Sequence, residues 1–147
     1  MTADTGTGTP ARSLISALTA EVTAAAHPRT PTVPCTCGST ALADREDATV
    51  VRHAGTVAKA HAPDTDPSAL AHRVATAARL PDVLLAPLTA APSPLHGRLV
   101  TFWPYGLPVD PDDPDAAPWE AAATLLARLH RTPLPAGLPP MRGPAKA

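Results

Sequence analysis

The chain has 147 residues, a length that suits one domain or one lobe of a larger protein. Its 12 Lys and Arg residues against 13 Asp and Glu give a formal net charge of −1. This balance excludes a strongly basic nucleic-acid-binding protein, because such a protein needs a stripe of cations to neutralise phosphates.

The composition is biased in a way that indicates a GC-rich, bacterial genome. The chain contains no Asn and no Gln, and it has two lysines against ten arginines. Because lysine is so rare, its retention at Lys59 suggests that an amine is needed at that position.

The expected compartment is the cytoplasm. The first 13 residues have no early positive charge and no apolar segment, so they do not resemble a signal peptide. Cys35 and Cys37 are too few for a disulfide framework, and a bridge between residues two apart would be strained, which indicates a reducing compartment. No apolar stretch approaches the roughly 18 residues of a membrane span, so no membrane association is expected.

Windows free of the 20 prolines mark the regular elements, because proline interrupts the hydrogen bonding of helices and strands. Leu14, Leu18, Val22 and Ala25 have helical spacing and predict an amphipathic helix within 11–27. A Pro-rich linker, 28–34, follows. The β-branched content and the breaks of the next window predict three strands, at 39–44, 48–53 and 56–61.

The second half of the chain predicts two helices and two strands. Asp66 before Pro67 is a helix-start signal, and the helix should run to Leu80. The later elements are predicted as strands at 83–88 and 97–103 with a loop at 93–96, an extended linker at 104–118, a helix at 119–131 and a loose tail at 133–147.

This order predicts an α+β fold: a five-stranded antiparallel sheet with one inserted helix, an N-terminal helix and a C-terminal hinge helix. The predicted organisation is an N-terminal helix and linker at 1–34, the lobe at 35–103, the hinge linker and helix at 104–132, and the tail at 133–147.

Three segments carry a resemblance to a known family. They are Val57-Ala58-Lys59 in the third strand, Thr101-Phe102-Trp103-Pro104-Tyr105-Gly106 at the end of the fifth, and Leu125-Leu126-Ala127-Arg128-Leu129-His130 in the last helix. Together with the element order, they resemble the N-terminal lobe of the aminoglycoside phosphotransferase and choline-kinase-like family, which is protein-kinase-like.

The resemblance implies binding of ATP and a parent activity of ATP-dependent O-phosphorylation of a small hydroxyl compound. Lys59 would pair with the α- and β-phosphates, as suits a compact cation, and Val57 would cover the adenine. The hinge residues Thr101, Phe102, Trp103 and Tyr105 would offer backbone groups to the adenine edge. The turn 43–48 would lie over the phosphates, with Arg45 as a side-chain clamp or as part of a solvated hairpin.

The parts needed for catalysis are absent. No histidine is followed two residues later by aspartate, so the family's H-x-D-x-x-x-x-N loop is missing, and Mg²⁺ is expected only if a second lobe supplies its ligands. The D-x-D pairs fit turn and cap chemistry better. The turn 43–48 has no glycine, and helix 67–80 has no Glu to pair with Lys59. The sequence therefore predicts a truncated lobe that is inactive alone.

Two other interpretations stay open. The chain could be a non-catalytic, kinase-like protein-interaction module, with a second chain or a homodimer covering Leu125, Leu126 and Leu129. It could also be a small metal-binding regulator that uses Cys35 and Cys37 with His27 and His53. The Cys-x-Cys spacing differs from a zinc knuckle, which favours two ordinary reduced thiols and no metal.

Overall fold

A five-stranded antiparallel sheet with three α-helices forms the described part of the protein. The computed structural model describes residues 13–29 and 35–138. In chain order, the elements are α1 (Leu14–Ala26), β1 (Ser39–Asp44), β2 (Ala48–His53), β3 (Thr56–His61), α2 (Pro67–Arg79), β4 (Ser93–Leu95), β5 (Arg98–Pro104) and α3 (Trp119–Arg131), with a 3₁₀ turn at Pro114–Ala116. The strand order is β1-β2-β3-β5-β4. The predicted α+β fold is confirmed.

The sheet has one buried face, which packs on α1. Directly opposed residues share a face, and the register aligns Val51 of β2, Ala58 of β3 and Phe102 of β5 in one row. These side chains form a single core with Leu18 and Val22 of α1. Helix α1, which the sequence analysis assigned to segment 1–34, therefore belongs to the same core as the strands.

Local signals explain where the helices begin. The Ser13 hydroxyl accepts a hydrogen bond from the N–H of Ser16 at the start of α1. The Asp66 carboxylate accepts one from the N–H of Ala69, and Pro67 occupies the first position of α2. The predicted cap at Asp66 is confirmed.

The strand predicted at 83–88 is wrong. The N–H groups of Val83 and Leu84 both donate to the carbonyl of Leu80, so the chain turns there instead of extending. Pro87 also lacks the N–H that a strand pairing would use. An apolar run without alternation does not distinguish a strand from a turn that packs locally.

The fourth strand instead lies at 93–95, which the sequence analysis assigned to a loop. Leu95 pairs with Arg98 across the two-residue turn His96-Gly97. Both turn residues have positive φ, 48° and 72°, as expected for the tight turns that favour hairpins. The missed signal was the His-Gly dipeptide before a β-branched strand.

Residues 1–12, 30–34 and 139–147 lie outside the described residues, and with them most of the predicted linker and tail. Across 13–29 and 35–138, no helix is both long and apolar enough to cross a membrane. Helix α3 forms where predicted, but none of its residues is buried.

Candidate functional site

The face of the sheet away from α1, here called the open face, carries most of the predicted nucleotide residues. The antiparallel register places Lys59 of β3 between Val50 of β2 and Thr101 of β5. Two residues earlier in β3, on the same face, Val57 lies between Arg52 and Trp103. The structure thus brings Lys59, Val57, Thr101 and Trp103 together on adjacent central strands.

A hydrogen-bonded chain of side chains fixes this face beside Lys59. The indole N–H of Trp103 donates to the Thr101 hydroxyl at 2.9 Å, and the same hydroxyl lies 2.9 Å from Nε2 of His61. Thr101 is only 1% exposed, so its hydroxyl depends on these partners. His61 was missed in the sequence analysis because its link to Thr101 spans 40 residues.

The neighbourhood of His61 is cationic. Burial, together with the charges of Lys59 and Arg73, lowers the pKa of His61 from 6.5 to about 4. A guanidinium nitrogen of Arg98 lies 3.5 Å from the His61 carbonyl oxygen. Lys59 and Arg73 therefore act on the imidazole, and Arg98 lies near the backbone of the same residue.

No carboxylate of the described residues neutralises Lys59. The single ion pair across 13–29 and 35–138 joins Arg45 to Asp47, at 3.5 Å. This agrees with the lack of Glu in α2. An ammonium without a carboxylate partner, with Arg73 and Arg98 near the neighbouring His61, favours binding of an anion.

Arg45 lies apart from this group. It belongs to the β1–β2 turn, where Arg45 and Ala48 exchange backbone hydrogen bonds of 2.9 and 3.2 Å. Its side chain is 69% exposed and pairs with Asp47, which is 76% exposed. With Asp44 and Glu46 beside it, the turn is acidic overall, so it offers phosphates little attraction.

Some backbone groups of the predicted hinge already have partners. The Tyr105 N–H donates to the Gly55 carbonyl at 2.9 Å, and the Phe102 carbonyl accepts from the Leu88 N–H at 2.9 Å. The Tyr105 ring is covered by the Arg52 guanidinium, 3.8 Å from its centroid. The Phe102 side chain is buried in the core on the α1 side.

Two aspartates of the D-x-D pairs accept local backbone hydrogen bonds. Asp66 caps α2. The Asp110 carboxylate accepts a hydrogen bond from the N–H of Asp112 at 3.0 Å, which is an Asx turn.

A second group of chemically active side chains lies on the α1 side of the sheet. His27, Cys35, Cys37 and His53 each place a ligand atom within 4.8 Å of the others. The Cys35 sulfur lies 3.0 Å from Nε2 of His27 and 3.4 Å from Nε2 of His53. We call these four residues the Cys/His cluster.

Three elements position the Cys/His cluster. His27 is the C-cap of α1, Cys35 and Cys37 precede β1, and His53 ends β2 with its side chain 3% exposed. A hydrogen bond with Cys35 is the largest cause of the raised pKa of the Cys37 thiol. These four residues could form a metal site by count, but the Cys-x-Cys spacing favoured ordinary reduced thiols. Only the packing of α1 on the sheet brings them together.

The chain was compared with protein-family models, curated proteins and solved structures. No protein-family model, no curated protein and no solved structure matches the chain.

Proposed function

We propose that this chain is the nucleotide-binding N-terminal lobe of an aminoglycoside-phosphotransferase-like protein, and that its open face binds ATP around Lys59. The parent activity is ATP-dependent O-phosphorylation of a small hydroxyl compound. The observation that carries the proposal is the position of Lys59: it lies on the central strand, unpaired with any described carboxylate, between Val50 and Thr101.

The open face offers different chemistry along β3. Val57 and Trp103 lie in one row and give an apolar surface suited to a flat base. Lys59 follows two residues later, about 7 Å along the strand, and His61 ends it near Arg73 and Arg98. The base would thus lie toward the β2–β3 turn and the phosphates toward the cations.

Two backbone groups of the hinge are already hydrogen-bonded within the protein, which changes the groups assigned to contact the base. Because the Tyr105 N–H and the Phe102 carbonyl are already bonded, we assign the base contacts to the side chains of Val57 and Trp103. The acidic β1–β2 turn opposes phosphate binding. Both features favour a weak site, with a dissociation constant on the order of millimolar.

Binding and orientation of the nucleotide are the only steps assigned to this chain. The residue that positions the acceptor hydroxyl and the ligands that hold Mg²⁺ would come from a second lobe. We assign the protein to the cytoplasm, where the two free cysteines would stay reduced.

Calorimetric titration of ATP, with and without Mg²⁺, tests the proposal. The Lys59→Ala substitution removes the ammonium and should weaken ATP binding by roughly 10- to 100-fold, the usual effect of losing a charged hydrogen-bond partner. The matched control is Arg79→Ala, which removes an exposed cation at the end of α2. No saturable binding at ATP concentrations about tenfold above the expected millimolar dissociation constant, or equal weakening in both variants, would overturn the proposal.

A second candidate function is a protein-interaction module that binds no nucleotide. The supporting observation is that Leu125, Leu126 and Leu129 of α3 are all exposed. Leu129 also lines an apolar cleft of about 500 Å³ with Leu80 and Leu84. The molar mass in solution distinguishes the candidates: a stable monomer that binds ATP contradicts the second, and a stable complex without ATP binding contradicts the first.

A further inference from the structure

We infer that the Cys/His cluster is a tetrahedral Zn²⁺ site that ties the end of α1 to the sheet. The inference is independent of nucleotide binding, because the cluster lies on the α1 side, away from Lys59. It rests on the distances among the ligand atoms, the chemistry of the donor set and the partners that orient the ligands.

The distances fit a common central ion. Zinc lies about 2.0–2.1 Å from histidine nitrogen and about 2.3 Å from cysteine sulfur, so the edges of its tetrahedron are about 3.3 Å for N–N and about 3.6 Å for N–S. The Nε2 atoms of His27 and His53 are 3.2 Å apart, and Cys35 Sγ lies 3.0 and 3.4 Å from them. The Cys37 sulfur lies within 4.8 Å of the other three ligand atoms, so adjustments of up to about 1 Å complete the tetrahedron.

The donor set selects the metal. Two sulfurs and two imidazole nitrogens in tetrahedral arrangement are typical of zinc. Two thiolates also neutralise a dication, which removes the cost of placing a charge beside His53, a side chain only 3% exposed. Since the protein supplies all four ligands, the site is closed to substrate and its role is structural.

The surroundings orient the ligands as a metal site requires. Nδ1 of His53 lies 2.8 Å from the Ser39 hydroxyl, and this contact leaves Nε2 facing the other ligands. The two histidine rings meet edge to face, at 85°, and their Nε2 atoms converge to 3.2 Å. The N–H of Cys37 lies 3.2 Å from the Cys35 sulfur, where it would stabilise a thiolate.

The position in the fold explains what the ion would contribute. Helix α1 covers the buried face of the sheet, and apart from Phe102 the buried residues of this core are only alanine, valine and leucine. A core of such small side chains buries little apolar surface. A zinc ion joining His27 at the end of α1 to His53 at the end of β2 would add a cross-link where packing alone is weak.

The first experiment measures metal content in tag-free protein purified without chelators. We expect one zinc ion per chain by elemental mass spectrometry, and two titratable thiols only after the metal is removed. Replacement by Co²⁺ should give the visible absorption of a tetrahedral, thiolate-bound ion. Metal-free protein that fails to bind added Zn²⁺, or a Cys35–Cys37 disulfide in freshly purified protein, would overturn the inference.

Variants locate the ion. Cys37→Ser removes an exposed ligand and should weaken zinc binding by about 100-fold or more, whereas Ser39→Ala, which leaves every ligand in place, should weaken it by about tenfold. The matched control, His130→Gln, removes an exposed histidine outside the cluster and should bind zinc normally. Equal binding by Cys37→Ser and the control, with the cobalt spectrum unchanged, would place the metal elsewhere and contradict the inference.

Discussion

His27 and His53, which are 26 residues apart in the chain, place their Nε2 atoms 3.2 Å apart where α1 meets the end of β2. His53 lies on the buried face of the sheet, and His27 caps the helix that covers this face. The contact therefore forms only when α1 is docked on the sheet. A metal bound there would make this docking depend on the metal concentration.

Removal of zinc should lower the stability of the folded protein. A ligand that binds only the native state stabilises it by about 4 kcal/mol when its free concentration is 1,000 times its dissociation constant. We expect a chelator to lower the melting temperature and to increase hydrogen exchange in α1. The Cys37→Ser variant binds zinc more weakly and should show a much smaller chelator effect; an equal effect on both proteins would contradict this prediction.

The free energy of unfolding should also decrease as the pH is lowered from 6.5 to about 4, because of His61. Its pKa is lowered from 6.5 to about 4 in the folded protein, so the unfolded chain binds more protons between these values. The contribution of His61 is therefore complete above pH 6.5 and is lost as the pH falls toward 4. The facing charges are Lys59 and Arg73, which both disfavour the imidazolium.

Urea unfolding of the wild type and of His61→Gln at pH 7.5 and 4.5 measures this effect. The glutamine cannot titrate, so the wild type should lose more stability than the variant as the pH falls. The difference isolates His61 from the carboxylates that titrate over the same range. Parallel losses in the two proteins would contradict the assignment. Bound phosphate beside Lys59 should raise the pKa of His61, measurable by NMR.

Ala54 offers a stabilising substitution. It has a φ of 50° in the two-residue turn between β2 and β3, a conformation that costs a residue with a Cβ roughly 1–2 kcal/mol. Ala54→Gly should relieve this strain, partly offset by the greater freedom of glycine in the unfolded chain. We expect a net gain of up to about 1 kcal/mol in the free energy of unfolding. Ala78→Gly, on the exposed face of α2, should instead destabilise the protein.

Leu18→Ala tests whether α1 is part of the core. Leu18 is fully buried against the sheet, and truncation of such a leucine costs about 2–5 kcal/mol in the free energy of unfolding. Leu107→Ala, at a position 91% exposed, should change stability by less than about 0.5 kcal/mol. Chemical denaturation measures both. A small effect of Leu18→Ala would show that the sheet folds without α1.

The sequence by itself determined the elements whose signals are local. Helical spacing from Leu14 to Val22 predicted α1, and the Asp66-Pro67 pair predicted the start of α2. The β-branched segments 48–53 and 56–61, with the break between them, predicted the hairpin that carries Lys59. These features depend on hydrogen bonds and side-chain periodicity within a few residues. The strand at 83–88 failed because its apolar run has no periodicity that separates a strand from a turn.

Only the tertiary structure decided which distant residues meet. The pairing of β3 with β5 placed Thr101 beside Lys59, and the docking of α1 on β2 assembled the Cys/His cluster. Neither contact can be predicted from residue spacing, because the residues that meet come from different elements of the fold. Register between strands and the burial of one helix face, which depend on the whole core, bring them together.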